Sequence, residues 1–180
     1  MNDDNLLTNS FLTAINQWEA ALEKYSHAQL LAKPTVNSWS VGQVYMHVIY
    51  ASRYFLKQVS ICTASNDNML QKASPAAKEI FANNSLPDKI LEGPPENAST
   101  PQPVDKNDIV LRLAALKTLL SQADGLMRSI EARNGKTKHP GLGYFDAAQW
   151  MQFACIHWRH HNRQISRIEA YLKEQENIGF

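Results

Sequence analysis

The sequence predicts an all-α fold: a four-helix bundle in one domain over residues 1–180, with a long proline-rich connection between its second and third helices. Three observations carry that expectation. Four long segments repeat their apolar residues every three or four positions, which is the helical period. None of the four alternates in the manner of a half-buried strand. Two of them are preceded by residues of the type that cap helix N-termini, with a glutamine three positions later.

The first helix is expected from about Leu6 to Tyr25, where Phe11, Ile15, Trp18 and Leu22 share one side. A polar stretch containing Pro34 follows and ends at Asn37. The second helix opens at Ser40-Val41-Gly42-Gln43, a capping box in which Ser40 accepts from an early helical N–H and Gln43 reaches back to the cap. Trp39, just ahead of it, is placed to pack on the first turn. Val44, Val48, Ala51, Phe55 and Val59 run along one side to about Ile61. Residues 63–105 hold six of the eight prolines. Ser74-Pro75 there suits the start of a short helix through Phe81, because proline fits the first helical position. The rest of that stretch, from Leu86 to Val104, is expected to be irregular. A connection of about forty residues far exceeds the usual 2–8 between bundle helices, and it is long enough to cross a bundle end. The third helix is expected from about Asn107 to Ala132, with Ile109, Leu113, Leu116, Leu120 and Met127 as its stripe and Asn134-Gly135 as its stop. His139-Pro140-Gly141-Leu142-Gly143 reads as a tight turn. Asp146, paired with Gln149, then caps a fourth helix that runs to about Lys173.

Composition removes several classes of function. A formal net charge of +1 leaves no basic face for nucleic acid. No apolar run approaches the roughly 20 residues that span a bilayer. The first ten residues lack the layout of a signal peptide, and two cysteines, Cys62 and Cys155, make no disulfide scaffold, so a reducing cytoplasm is the expected location. Both cysteines read as small buried apolar residues. Cys155 lies on the wrong side of its helix to join His157, and Cys62 is about 22 Å along a helix from His47.

Of six histidines, three fall in Ile156-His157-Trp158-Arg159-His160-His161. His157 and His161 are four residues apart, so their side chains stand one turn apart on the same face. That face also carries Trp150, Phe153, Ala154, Gln164, Ile165 and Ile168, so the pair looks inward. His47 falls on the apolar side of the second helix. Three inward imidazoles on two helices can hold one divalent ion and leave a position open. A lone histidine on an apolar face is more often a hydrogen-bonded core residue, and spacing alone does not decide between the two. Other metal chemistries lack their motifs: there is no paired Glu-x-x-His, no His-Glu-x-x-His and no Cys-x-x-Cys-His.

The stretch Asn37-Ser38-Trp39-Ser40-Val41-Gly42-Gln43-Val44-Tyr45-Met46-His47 resembles the second-helix signature of the DinB-like, YfiT-type metal-binding bundles. His139-Pro140-Gly141-Leu142-Gly143, then Trp150, then His157-x-x-His160-His161-x-x-Gln164-Ile165 is similar to the last helix of that superfamily. The blocks agree in order and spacing, and the four-helix reading covers nearly the whole chain. The resemblance implies metal ligation by His47, His157 and His161, a metal that is typically zinc or nickel, and a homodimer. It implies transfer of a low-molecular-weight thiol, isomerisation or hydrolysis of a small-molecule substrate. No DNA role follows from a name shared with an unrelated polymerase. The proline-rich segment departs from the family's pattern and bears on substrate identity.

Thiol transfer ahead of hydrolysis is therefore the leading expectation. No general base is evident, because the first carboxylate on the histidine face of the last helix is Glu169, and an ion that makes a thiol ionise near neutral pH needs none. Tyr50 and Gln164 are candidates to orient substrate or a water beside the ion, with plain packing or capping as the other reading; His160 is at most an outer neighbour of the ligands. His139 is read as a turn residue rather than a fourth ligand, and either its turn or the 85–104 segment is placed to roof the pocket. The alternative, from a different class, is a non-catalytic dimer that binds a metal or a metabolite.

Overall fold

The computed structural model describes residues 3–87 and 95–178, so residues 88–94 of the proline-rich connection lie outside it. Among the described residues there are six α-helices and one small sheet: α1 (Asp3–Leu22), α2 (His27–Leu31), α3 (Val41–Ala64), α4 (Pro75–Asn83), α5 (Lys106–Met127), β1 (Thr137–His139), β2 (Gly143–Phe145) and α6 (Ala147–Ile178). The fold is predominantly helical, as expected. α3 packs on both α5 and α6, and α1 packs on the same two helices from the other side. No helix among the described residues is long and apolar enough to cross a membrane.

The helices form where the apolar periods place them. Phe11, Ile15, Trp18 and Leu22 of α1 are buried, as are Val44, Val48, Phe55 and Val59 of α3 and Ile109, Leu113, Leu116 and Leu120 of α5. The expected caps are present. Ser40 and Gln43 close a reciprocal box at α3, and Asp146 and Gln149 do so at α6, with N–H···O distances of 3.1–3.2 Å and 2.8–3.1 Å respectively. Ser74 caps α4 with Pro75 in its first turn.

Several features differ from expectation, among them the ends of α1 at Leu22, α3 at Ala64 and α6 at Ile178. The stretch around Pro34 is not wholly irregular: Ser26 and Gln29 form a further capping box and start α2, which lays Leu30 into the core. α5 stops at Met127 rather than Ala132, because the chain beyond it turns to serve the open end of α3. There Arg133 N–H donates to Thr63 O at 2.8 Å and Gly135 N–H to Cys62 O at 3.0 Å, so carbonyls left without a helical partner are satisfied. The residues around His139 form more than a turn. Thr137–His139 pairs antiparallel with Gly143–Phe145, and Ala73 bridges Gly143. Three-residue arms are too short to display an alternation, which is why the sheet is invisible in the sequence. Finally, Pro95–Ser99 is a short 3₁₀ helix, a correction to the expectation that the whole stretch from Leu86 to Val104 is irregular.

The end of the proline-rich connection is fastened to the start of α3. Gln43 Nε2 donates to Thr100 O at 2.7 Å, Ser40 Oγ donates to Gln102 Oε1 at 2.7 Å, and Gln102 Nε2 donates to Leu31 O at 3.1 Å. Gly42 permits this approach, since a Cβ there would lie 2.7 Å from Pro103 Cδ and 2.8 Å from Leu30 O. Gly42→Ala is therefore expected to lower stability by about 1–3 kcal/mol, the usual cost of overpacking a filled site. Chemical denaturation checks this, and an unchanged midpoint would mean that the connection does not need to lie so close.

Candidate metal centre

The site is built on two neighbouring helices. His47 lies on the second turn of α3, and His157 and His161 follow one another on successive turns of α6. The register between the helices is held by a buried hydrogen bond, Trp158 Nε1–H to Ser52 Oγ at 2.7 Å. Trp158 itself packs against Trp18, with ring centroids 4.8 Å apart, and against Phe11 at 5.8 Å. It points into the core while its neighbour His157 points toward α3.

The three imidazoles converge. His157 Nε2 stands 3.3 Å from His47 Nε2 and 3.3 Å from His161 Nε2. One ring nitrogen from each of the three lies within 4.8 Å of the others. Two nitrogens that share a tetrahedral ion at roughly 2.0–2.1 Å must stand about 3.3–3.4 Å apart. The two measured separations match that edge, so the residues fit one divalent ion.

Their protonation suits the same task. Burial, with a smaller contribution from His160, lowers the pKa of His47 to about 4. Burial and then His47 lower that of His161 to about 3, against an opposing hydrogen bond to Gln164. His157 is pushed well below the ordinary histidine value, again first by burial and then by His161 and His47. All three are neutral at pH 7, and a neutral imidazole is the form that donates a lone pair to a metal. The titratable groups that lower their pKa values are one another, His160 and His139, with no carboxylate among the described residues.

Each ring is oriented differently. His161 Nδ1 meets Gln164 Oε1 at 2.8 Å. His157 lies edge-on to Phe55 at 5.4 Å and tilted toward Phe153 at 6.4 Å, and its buried Nδ1 has no hydrogen-bond partner among the described residues. His47 packs against the indole of Trp39 at 4.8 Å, and the same indole stacks over His161 at 6.4 Å.

Of the other residues singled out in the sequence, Gln164 touches the cluster directly. Tyr50 lies one turn beyond His47 on α3, 39% exposed, with the Arg112 guanidinium 5.6 Å above its ring. His160 sits beside His161, with centroids 5.3 Å apart, and its Nδ1 meets Arg163 at 3.1 Å on the flank of the site. His139 is not in the cluster. It ends β1 and stacks on Trp150 at 5.5 Å, with Phe145 and Phe153 around it. Neither cysteine joins: Cys62 is buried near Thr137 and Phe145 O, and Cys155 donates to Leu7 O. Burial raises both thiols, Cys155 to about 11.

Trp39, Phe55 and Phe153 are the site residues that sequence reasoning missed. Each was read as packing, and the available signal was position: Trp39 stands eight residues before His47, and Phe55 eight after it, at near-helical spacing.

A helical protein with three convergent, neutral imidazoles on two adjacent helices belongs to the class that can hold a single divalent ion between helices. The model of the DinB superfamily matches residues 10–165, and the chain belongs to that superfamily. No curated protein matches the sequence.

Proposed function

We propose that the protein is a metal-dependent enzyme acting on a small molecule, with thiol transfer ahead of hydrolysis, built as one four-helix-bundle domain. The observation that carries this reading is the pair of 3.3 Å separations among three imidazole Nε2 atoms. His47, His157 and His161 would hold the ion, and an all-imidazole set suits zinc or nickel. When bound, a divalent ion supplies the Lewis acidity that makes a thiol or water ionise near neutral pH.

The chain's own residues favour the thiol. Three neutral imidazoles leave the charge of a divalent ion uncompensated, and no carboxylate among the described residues acts on the rings to offset it. Such a centre attracts an anionic partner, and a thiolate is already a nucleophile that needs no protein base. Trp39 packs on His47 and Phe55 on His157, so apolar rings lie beside the imidazoles. Tyr50, one turn from His47, offers a phenol at the rim to orient the second substrate. The family resemblance adds a homodimer; the two lone cysteines favour a cytoplasmic setting, and the near-neutral charge and short apolar runs give no role for nucleic acid or a membrane.

The test is to incubate metal-loaded protein with low-molecular-weight thiols and electrophilic acceptors, following the thioether product. The expected result is product that requires both substrates and disappears in His157→Ala. Turnover no higher than that control would leave the non-catalytic metal- or metabolite-binding reading in its place.

A further inference from the structure

We propose that Gln164 is the positioning residue of the three-histidine cluster: its side-chain oxygen keeps the proton of His161 on Nδ1, and so fixes the Nε2 lone pair toward His47 and His157. The consequence for a metal ion rests on the reading above, whereas the tautomer does not.

The geometry follows from the helix. Side chains on a helix lean toward its N-terminus, so a residue three positions later covers the turn before it. Gln164 thus reaches back over His161, and its Oε1 lies 2.8 Å from Nδ1. An oxygen there can only accept, so Nδ1 carries the hydrogen, and a neutral imidazole then has a bare Nε2.

That bare nitrogen changes what the cluster can do. His157 Nε2 has two imidazole neighbours at 3.3 Å. If His157 Nε2 carries a hydrogen, it can serve one neighbour well and leaves the other facing an N–H or a lone pair it cannot match. If it is bare, it faces the bare Nε2 of His161. With Gln164 accepting from Nδ1, no distribution of protons among neutral rings satisfies both contacts. One cation at the centre satisfies all three lone pairs together. Were the amide of Gln164 turned over, with its NH₂ donating to Nδ1, His161 would hold its hydrogen on Nε2. His157 Nε2, with its single lone pair, could then accept from one neighbour, and His161 would offer no lone pair to a cation at the centre. The orientation of one glutamine therefore decides whether His161 can serve the centre through Nε2.

His157 provides the contrast within the same site. Its Nδ1 is buried without a partner among the described residues, and its ring packs against Phe55 and Phe153. Packing orients that imidazole but does not select its tautomer. Gln164 supplies a selection that the aromatic walls cannot, and outer partners of this type commonly govern ligand basicity and affinity.

The experiment is long-range ¹H–¹⁵N NMR of the metal-free protein at neutral pH, with the His161 signals assigned by their loss in His161→Gln. A protonated Nδ1 and a bare Nε2 are expected for the wild type, and a mixture of tautomers for Gln164→Leu. Zinc affinity, read by competition with a chelator, should fall about 10–100-fold in Gln164→Leu. Gln164→Glu keeps an acceptor at the same place and should restore the wild-type affinity or exceed it. Gln164 is partly exposed, so these variants are expected to fold, and circular dichroism checks that they do. Finding the hydrogen on Nε2 in the wild type, or an affinity indifferent to Gln164→Leu, overturns the proposal and leaves the metal reading standing. A wild-type protein that binds no zinc overturns the metal reading and, with it, the role of Gln164 toward the ion.

Discussion

His157→Ala lowers the affinity of the protein for zinc by about 100-fold or more, measured by competition with a chromophoric chelator. His157 is the central member of the cluster, the one nitrogen that stands 3.3 Å from both of the others. Removing it deletes a ligand and also the contact that ties α3 to α6 at the site. Closed zinc sites in small proteins bind with roughly 10–16 kcal/mol, so one position of four is worth about 3 kcal/mol, on the order of 100-fold. The variant is expected to keep its fold, since the ring it loses has a buried Nδ1 with no partner among the described residues. Equal affinity in wild type and variant would mean that any bound zinc sits elsewhere.

Trp158→Ala lowers the stability of the fold by about 3–5 kcal/mol, the range for removing a large aromatic from a packed core. For a chain of this size that corresponds to a fall in Tm of roughly 6–20 °C. Trp158 is fully buried and rests on Trp18 and Phe11 of α1, while its indole N–H serves Ser52 of α3. The substitution opens a cavity and also strands a buried hydroxyl, so both costs apply. Because Trp158 and His157 are adjacent on α6, the same change loosens the register that brings His157 to His47. Calorimetry of the metal-free protein measures the first effect, and zinc affinity of the folded variant measures the second. A loss below about 1 kcal/mol would show that the core repacks around the gap.

Much of this architecture can be read from residue order. The four long helices follow from apolar periods whose members are buried, Ala51 and Met127 in part. Their starts follow from capping residues that need only their immediate neighbours, as at Ser40 and Asp146. The meeting of His157 with His161 is local as well, a property of four-residue spacing on any helix. Their meeting with His47 depends on how α3 lies against α6, which is set by contacts such as Trp158 to Ser52 between residues 106 positions apart. Family resemblance supplied that convergence where spacing could not. The features missed share one cause. β1 and β2, the early end of α5 and the fastening of Gln102 to Ser40 and Leu31 arise from backbone groups that find partners far along the chain. No local pattern announces such pairings. α2 is the exception, since Ser26 and Gln29 carried the same box signal as Ser40 and Gln43 and went unread beside Pro34. Gln164 was legible as a neighbour of His161, but which of its two polar atoms faces the ring is a property of the folded site.

The most direct test is the metal content of protein produced without an affinity tag, determined by elemental analysis after dialysis against a weak chelator. One zinc or nickel ion per chain in the wild type, and none in a variant lacking His47, His157 and His161 together, is the expected result. Wild-type protein that holds no more than trace metal, even after incubation with zinc or nickel, would contradict it. The three imidazoles would then be a packed and hydrogen-bonded part of the core.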